Sequence, residues 1–176
     1  VALIGAGPLG CMGILLAKYA GAAKIIVLEP NAERAAFART LGADVIINPI
    51  EQDPVVTVKG LTGGHGVDEA VDFSGSIAGL SAAVRYLRPE GKLVCVAIPN
   101  KPFTFDLAEF SYSGCSIKGI AGRKMYETWY KMITMVEGGL DMTPMITHRF
   151  NYRDFDKGFE AMNSGRSGKV VLDWTK

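Results

Sequence analysis

The chain has 176 residues, of which 48% are hydrophobic and 21% charged, and its formal net charge at pH 7 is +1. This length supports one hydrophobic core, so we expect one domain, or one domain with an appendage. The near-zero charge argues against a surface that binds nucleic acid or an anionic membrane. Cys11, Cys95 and Cys115 are too scattered for a disulfide framework, which favours a cytoplasmic protein.

Short β-branched strands alternate with helical stretches along most of the chain. We predict strands over residues 1–4, 24–29, 44–47, 67–73, 91–98 and 116–120, and helices over 10–19, 32–41, after Pro54, over 77–87 and over 125–137. This alternation indicates parallel strands joined by right-handed crossover helices. The sequence therefore predicts an α/β fold, a doubly wound, six-stranded parallel Rossmann sheet with helices on both faces.

The last part of the chain has a different character. Residues 145–174 are richer in charged and aromatic side chains, and their pattern is that of a strand, a helix and a strand. We place a boundary near Gly122. This gives a nucleotide-binding domain over residues 1–122 and a C-terminal helix and strand–helix–strand segment over 123–176.

A glycine-rich loop, Gly5-Ala6-Gly7-Pro8-Leu9-Gly10, lies between the first predicted strand and the first predicted helix. It fits the pattern G-x-G-x-x-G, in which Gly5 permits the turn, Gly7 lets the backbone approach a pyrophosphate, and Gly10 lets helix and strand pack closely. Pro8 suits the first turn of a helix. The motif alone leaves two interpretations open, a phosphate-binding loop and a tight corner needed only for packing.

Glu29, at the end of the second predicted strand, favours the first interpretation. It has the spacing at which an acidic side chain reaches the ribose diol of a dinucleotide. A 2′-phosphate beside its carboxylate would be repelled, so NAD is the expected cofactor rather than NADP. Arg34 has three open interpretations: it contacts a 2′-phosphate, it covers the adenine face, or it is an exposed helix charge.

Open α/β sheets bind ligands at the carboxyl ends of their strands, where the strand order reverses. This directs attention to three segments, residues 73–76, 96–99 and 120–122, whose backbone groups could meet a nicotinamide carboxamide. Ser74 and Ser76 in the first segment could equally cap the following helix.

The sequence offers no convincing acid–base or metal apparatus. His65 lies in a cluster of glycines and reads as a turn residue, and His148 reads as a structural histidine. Two histidines and three scattered cysteines do not make a zinc site. We therefore predict a cofactor-binding chain with no catalytic residue and no metal ligand of its own.

The glycine loop with its proline, GAGPLG, resembles that of the zinc-containing medium-chain dehydrogenases. Two later stretches, IKGIAGRKMYETWYKM and GLDMTPMITHRFNYRDFDKGFEAMNSGRSGKVVL, are similar to the L-threonine 3-dehydrogenase branch of that superfamily. The resemblance covers the whole chain. It implies a C-terminal half that follows a catalytic domain carrying zinc, with the strand–helix–strand segment packed on that domain.

By this resemblance the complete enzyme would oxidise the 3-hydroxyl of L-threonine, or of a similar small hydroxy compound, with NAD as hydride acceptor. The chain alone is expected to be inactive. The family typically forms a homotetramer in which sixth strands pair across a dimer interface. Its cofactor contacts correspond here to Leu9, Glu29, Arg34, Val96, Ala97, Ile98, Ile120 and Ala121.

Three other functions stay open at this stage. A polyol or butanediol dehydrogenase would share the same cofactor half. A free-standing module could bind NAD(H) without chemistry. A methyltransferase with a glycine loop fits less well, because Pro8 and the long first helix suit a pyrophosphate better.

Overall fold

The main body of the fold is a parallel sheet. A computed structural model describes residues 1–175, and six parallel strands in it have the order β3-β2-β1-β4-β5-β6. The strands are β1 (Ala2–Ile4), β2 (Ile26–Leu28), β3 (Val45–Ile47), β4 (Val67–Asp72), β5 (Leu87–Cys95) and β6 (Ser116–Gly119). The predicted doubly wound, six-stranded Rossmann sheet is confirmed.

Helices connect the strands and cover both faces of the sheet. They are α1 (Pro8–Tyr19), α2 (Ala32–Leu41), α3 (Pro54–Leu61), α4 (Ile77–Tyr86), α5 (Leu107–Ser113), α6 (Glu127–Glu137) and α7 (Phe155–Asn163). None of the helices in the described part of the chain is long and apolar enough to cross a membrane.

The central strands are buried on both faces, as parallel strands under two helix layers must be. Successive side chains of β1 point to opposite faces. Ile4 belongs to a core cluster with Val58 of α3 and Leu80 of α4. Leu3 belongs to the other cluster, which includes Ile14 of α1.

The largest differences from the sequence prediction concern α5 and β5, and several other bounds differ by one or two residues. Helix α1 begins at Pro8 rather than at residue 10, and α5 was not predicted at all. Strand β5 covers 87–95 instead of 91–98, with a register shift against β4. It ends early because the N–H groups of Val96 and Ala97 both donate to the carbonyl oxygen of Asp72, at 2.9 and 3.1 Å, which closes the ladder.

The C-terminal segment forms the predicted strand, helix and strand. Strands β7 (Ile146–Asn151) and β8 (Lys169–Asp173) pair in parallel as a second sheet, and α7 connects them. The residues before β7 pack on the six-stranded sheet and its helices, because Leu140 and Met145 are buried in the same core cluster as residues of α1 and α2. The domain boundary near Gly122 stays a prediction.

Candidate functional site

The glycine loop lies between the carboxyl end of β1 and the start of α1. Gly5 has a φ of +93°, a conformation that favours glycine, and its N–H donates to the carbonyl oxygen of Leu28 at 2.8 Å. A Cβ at Gly10 would overlap the carbonyl oxygen of Gly5. The backbone conformation of Gly5 and the close packing at Gly10 therefore explain two of the three motif glycines without a ligand.

Gly7 differs from the other two. A Cβ added at Gly7 would meet no atom within 4 Å, and its φ of −67° is open to any residue. Gly7 is the N-cap of α1 but provides no side-chain cap, Pro8 follows it, and the first turn holds no acidic side chain. The loop thus presents open backbone and the positive end of a helix dipole, an arrangement suited to an anion.

Glu29 follows β2 and is only 5% exposed. Its Oε2 accepts a hydrogen bond from the N–H of Ala6 at 2.8 Å, and its Oε1 accepts one from the N–H of Asn31 at 2.9 Å. The carboxylate therefore fixes the glycine loop to the end of β2. The ribose contact predicted for Glu29 stays a prediction, and the loop contact is a second function that the sequence did not indicate.

The side chain of Cys11, in helix α1, packs against the glycine loop. Cys11 is buried and its Sγ donates to the carbonyl oxygen of Ala6 at 3.3 Å. Burial, and next the negative charge of Glu29, raise the pKa of the Cys11 thiol to about 11. Cys11 is thus a packed, protonated thiol rather than a nucleophile.

A cavity of about 580 Å³ opens beside the loop, at the carboxyl ends of β1, β2, β3 and β4. This volume is in the range of small-molecule sites. Seven residues selected from the sequence line it: Gly5, Gly7, Glu29, Arg34, Phe73, Ser74 and Ser76. Apolar residues that were not predicted form another part of the lining, which we call the apolar wall: Pro49, Ile50, Pro54, Ala78 and Ala82.

Asp72, at the end of β4, was also missed. It is completely buried, and its carboxylate accepts hydrogen bonds from the N–H and the hydroxyl of Ser74, at 3.0 and 2.8 Å, and from the N–H of Gly75 at 3.1 Å. These bonds shape the turn after β4, which lines the cavity. Ser76 caps α4 by accepting from the N–H of Gly79. The available signal was an acidic residue at the end of β4, directly before the segment 73–76.

The remaining predicted contacts lie outside this cavity. Leu9 is exposed on the first turn of α1, and Ile98, after β5, is 91% exposed. The N–H of Ile120 donates to the carbonyl oxygen of Cys95 at 2.9 Å, which holds the chain after β6 beside β5. The predicted contacts after the last two strands thus comprise the partly buried Val96 and Ala97 and the exposed Ile98, Ile120 and Ala121.

No group of three or more His, Cys, Asp or Glu side chains within residues 1–175 could hold a metal ion. His148 lies 2.8 Å, through Nδ1, from the Thr147 hydroxyl and stacks against Phe150. His65 is exposed on its turn. The described residues therefore offer a cavity and a loop for a ligand, without a metal centre.

The sequence of this chain is similar to a family model and to curated proteins that are all dehydrogenases. The model of the zinc-binding dehydrogenase family matches residues 8–138. The chain is 39% identical over 176 residues to L-threonine 3-dehydrogenase of Pectobacterium carotovorum, covering 99% of this chain and 51% of that protein. It is 40% identical over 174 residues to the enzyme of that name from Rhizobium etli, covering 99% and 50%. The chain thus spans about half the length of the curated relatives it matches.

Solved structures support the same fold. The 2R,3R-butanediol dehydrogenase of Bacillus subtilis superimposes with a TM-score of 0.86 at 28% identity, covering 98% of this chain and 50% of that one. The alcohol dehydrogenase TADH of Thermus sp. ATN1 gives a TM-score of 0.85 at 29% identity, covering 97% and 50%.

Proposed function

The chain belongs to the zinc-binding dehydrogenase family, and we propose that it is the NAD-binding half of an enzyme that oxidises the 3-hydroxyl of L-threonine to 2-amino-3-oxobutanoate. The observation that carries the cofactor proposal is the cavity between the glycine loop and the apolar wall. It lies where β1 separates β2 from β4, the point at which the strand order reverses.

The cavity suggests an orientation for NAD. The pyrophosphate would lie against the open backbone at Gly7 and the start of α1. The adenosine would enter the cavity, with its ribose near Glu29 and its base against the apolar wall at Ile50. The nicotinamide would then extend towards residues 96–98 and 120–121, beyond β5 and β6.

The charge at Glu29 supports NAD over NADP. A 2′-phosphate about 4 Å from the carboxylate would be repelled by ~1–4 kcal/mol at the effective dielectric of a protein surface. The carboxylate is held in place by the N–H groups of Ala6 and Asn31. It cannot turn away from such a phosphate without breaking those bonds.

This chain's part in the reaction would be to bind and orient the nicotinamide. The described residues include no group suited to zinc, so we assign the metal to the part of the relatives that this chain does not match. When bound there, zinc acts as a Lewis acid on the alcohol oxygen.

We also propose that the protein is a homo-oligomer. Strand β6 is at the end of the sheet order, and all four of its residues are exposed. An uncovered edge strand offers backbone hydrogen bonds to another strand. Pairing of β6 with its copy in a second chain would extend the sheet across a dimer.

L-Threonine is favoured as substrate by the identity of 39–40% to the threonine enzymes. A second candidate, oxidation of a diol such as 2,3-butanediol, is favoured by the superposition on the Bacillus subtilis enzyme. A module that binds NAD(H) without chemistry is a third. A protein in which this chain is joined to a catalytic domain separates the three, by NADH formation with L-threonine, with 2,3-butanediol, or with neither.

The cofactor proposal is tested by calorimetric titration of the chain with NADH and then with NADPH. We expect NADH to bind and NADPH to bind more weakly. Equal affinities would contradict the specificity assigned to Glu29. Absence of binding for both would contradict the assignment of the cavity to a dinucleotide.

A further inference from the structure

The turn between α7 and β8, residues 164–168, lies against the first turns of α2. We call it the C-terminal turn. The Nε of Arg34 donates to the carbonyl oxygen of Gly165 at 3.3 Å, across 131 residues of sequence. Beside this bond, the Nε of Arg166 forms an ion pair with the Oε2 of Glu33 at 3.0 Å. Gly168 packs so closely on Phe37 that a Cβ there would lie 3.0 Å from the ring.

Arg34 therefore contacts both the cavity and the C-terminal turn. It lines the cavity beside Glu29, and it is bonded to the C-terminal turn. A guanidinium has five N–H donors in a rigid plane, and the bond to Gly165 uses the one on Nε. The terminal nitrogens keep donors for a ligand. Fixing Nε removes much of the rotational freedom that a free arginine would lose on binding.

Gly165 is suited to this arrangement. Its φ of +73° lies in the left-handed region, and a Cβ there would come within 3.4 Å of the Nη2 of Arg34. The glycine thus lets the turn deliver its carbonyl oxygen to Nε while leaving space beside the terminal nitrogens. The ion pair between Arg166 and Glu33 holds the next residue of the turn on the same helix.

We infer that the C-terminal turn is a positioning element for the cofactor site: it holds the guanidinium of Arg34 towards the adenosine diphosphate part of the ligand. This inference rests on the proposed binding of NAD in the cavity. Arg34 would contact the ligand, whereas Gly165 and Arg166 would act through Arg34. The segment that the sequence assigned to a different domain would thereby contribute to affinity for the adenosine end.

A double-mutant cycle on the whole chain tests this, with ADP-ribose as the probe and calorimetry as the readout. We expect Arg166→Ala to weaken ADP-ribose binding about two- to tenfold, the size of the ordering cost of one long side chain. In the Arg34→Ala background the same change should have no further effect. Arg166→Lys, which keeps the ion pair, should retain most of the affinity.

Lys157→Ala is the matched control, since it removes an exposed ion pair with Asp154 in the same segment but away from Arg34. It should leave ADP-ribose binding unchanged. Equal losses from Arg166→Ala in both backgrounds, or no loss in either, would overturn the positioning function while the cofactor proposal stands. A wild-type chain that does not bind ADP-ribose would overturn both.

Discussion

The Glu29 carboxylate accepts a hydrogen bond from the backbone N–H of Ala6 at 2.8 Å, which joins the end of β2 to the glycine loop after β1. The loop is therefore held by the side chain that is also expected to meet the ribose. Loss of this carboxylate should affect both the stability of the loop and the choice of cofactor.

Glu29→Ala should lower the free energy of unfolding by about 1–3 kcal/mol, because the buried N–H of Ala6 loses its acceptor. It should also weaken NAD binding and reduce the ratio of the affinity for NAD to the affinity for NADP. Chemical denaturation and calorimetry measure the two effects. Glu51→Ala, at an exposed position, serves as the control. Unchanged affinity for both dinucleotides would show that Glu29 does not contact the ligand.

The glycine loop allows a matched pair of substitutions. Gly7→Ala should change stability by no more than about 0.5 kcal/mol, since its Cβ would meet no atom. It should nevertheless weaken NADH binding about tenfold, because the methyl group would occupy the path of the pyrophosphate. A Gly7→Ala chain that binds NADH normally would show that the ligand does not approach this backbone.

Gly10→Ala should give the opposite result. Its Cβ would overlap the carbonyl oxygen of Gly5, so helix α1 must move away from β1. We expect a loss of about 3 kcal/mol or more in the free energy of unfolding, the upper range for overpacking. Urea denaturation measures this loss in the free energy of unfolding. A loss below about 1 kcal/mol would mean that the glycine loop and α1 can move apart at little cost.

Tyr86 is completely buried, and its hydroxyl has no hydrogen-bond partner within the described residues. Tyr86→Phe removes this hydroxyl and keeps the ring. We therefore expect stability to be equal or up to about 1 kcal/mol higher, since no bond is lost. Denaturation in urea checks this. A clear decrease would indicate that an internal water serves the hydroxyl.

The thiol of Cys11 should make stability fall at alkaline pH. Its pKa is raised from 9.0 to about 11 in the fold, first by burial. Above pH 9 the unfolded chain loses this proton while the folded chain keeps it, so folding stability declines between pH 9 and pH 11. Melting temperatures across this range should fall less steeply for Cys11→Ala. Equal slopes would show that the thiol titrates normally.

Strand β6 provides the test of self-association. Ile117→Asp places a charge on the uncovered edge strand, where Ile117 is exposed. We expect the altered chain to be monomeric by light scattering under conditions in which the original chain forms a dimer or tetramer. Lys118→Ala is the control and should keep the oligomer. A monomeric original chain would contradict the proposed assembly.

The sheet was predictable because its signals are local. Strands β2 and β3 are short aliphatic runs rich in β-branched residues, and the glycine loop and Glu29 lie at fixed distances along one βαβ unit. Helix α5 had signals too: Asp106 accepts from the N–H groups of Ala108 and Glu109, and Gly114 ends the helix with a φ of +65°. Seven residues between two caps simply carry too little periodicity to stand out.

The cavity wall and the C-terminal turn were not predictable in the same way. Ile50 and Glu29 line the same cavity only because β3 lies next to β2 in the sheet. Arg34 meets Gly165 through packing of distant segments. Neither contact leaves a pattern in the neighbouring sequence, since both depend on the tertiary arrangement rather than on spacing.

The position of β1 in the middle of the sheet has a consequence for folding kinetics. Ala2 lies opposite Ile26 of β2 and Ala70 of β4, so β1 finds no partner close to it in sequence. Pairing of strands that are distant in sequence slows folding, because the entropy of closing the loop between them is lost before the contacts form. The glycine loop follows directly after β1, so the ability to bind a dinucleotide should arise late in refolding, when the centre of the sheet closes.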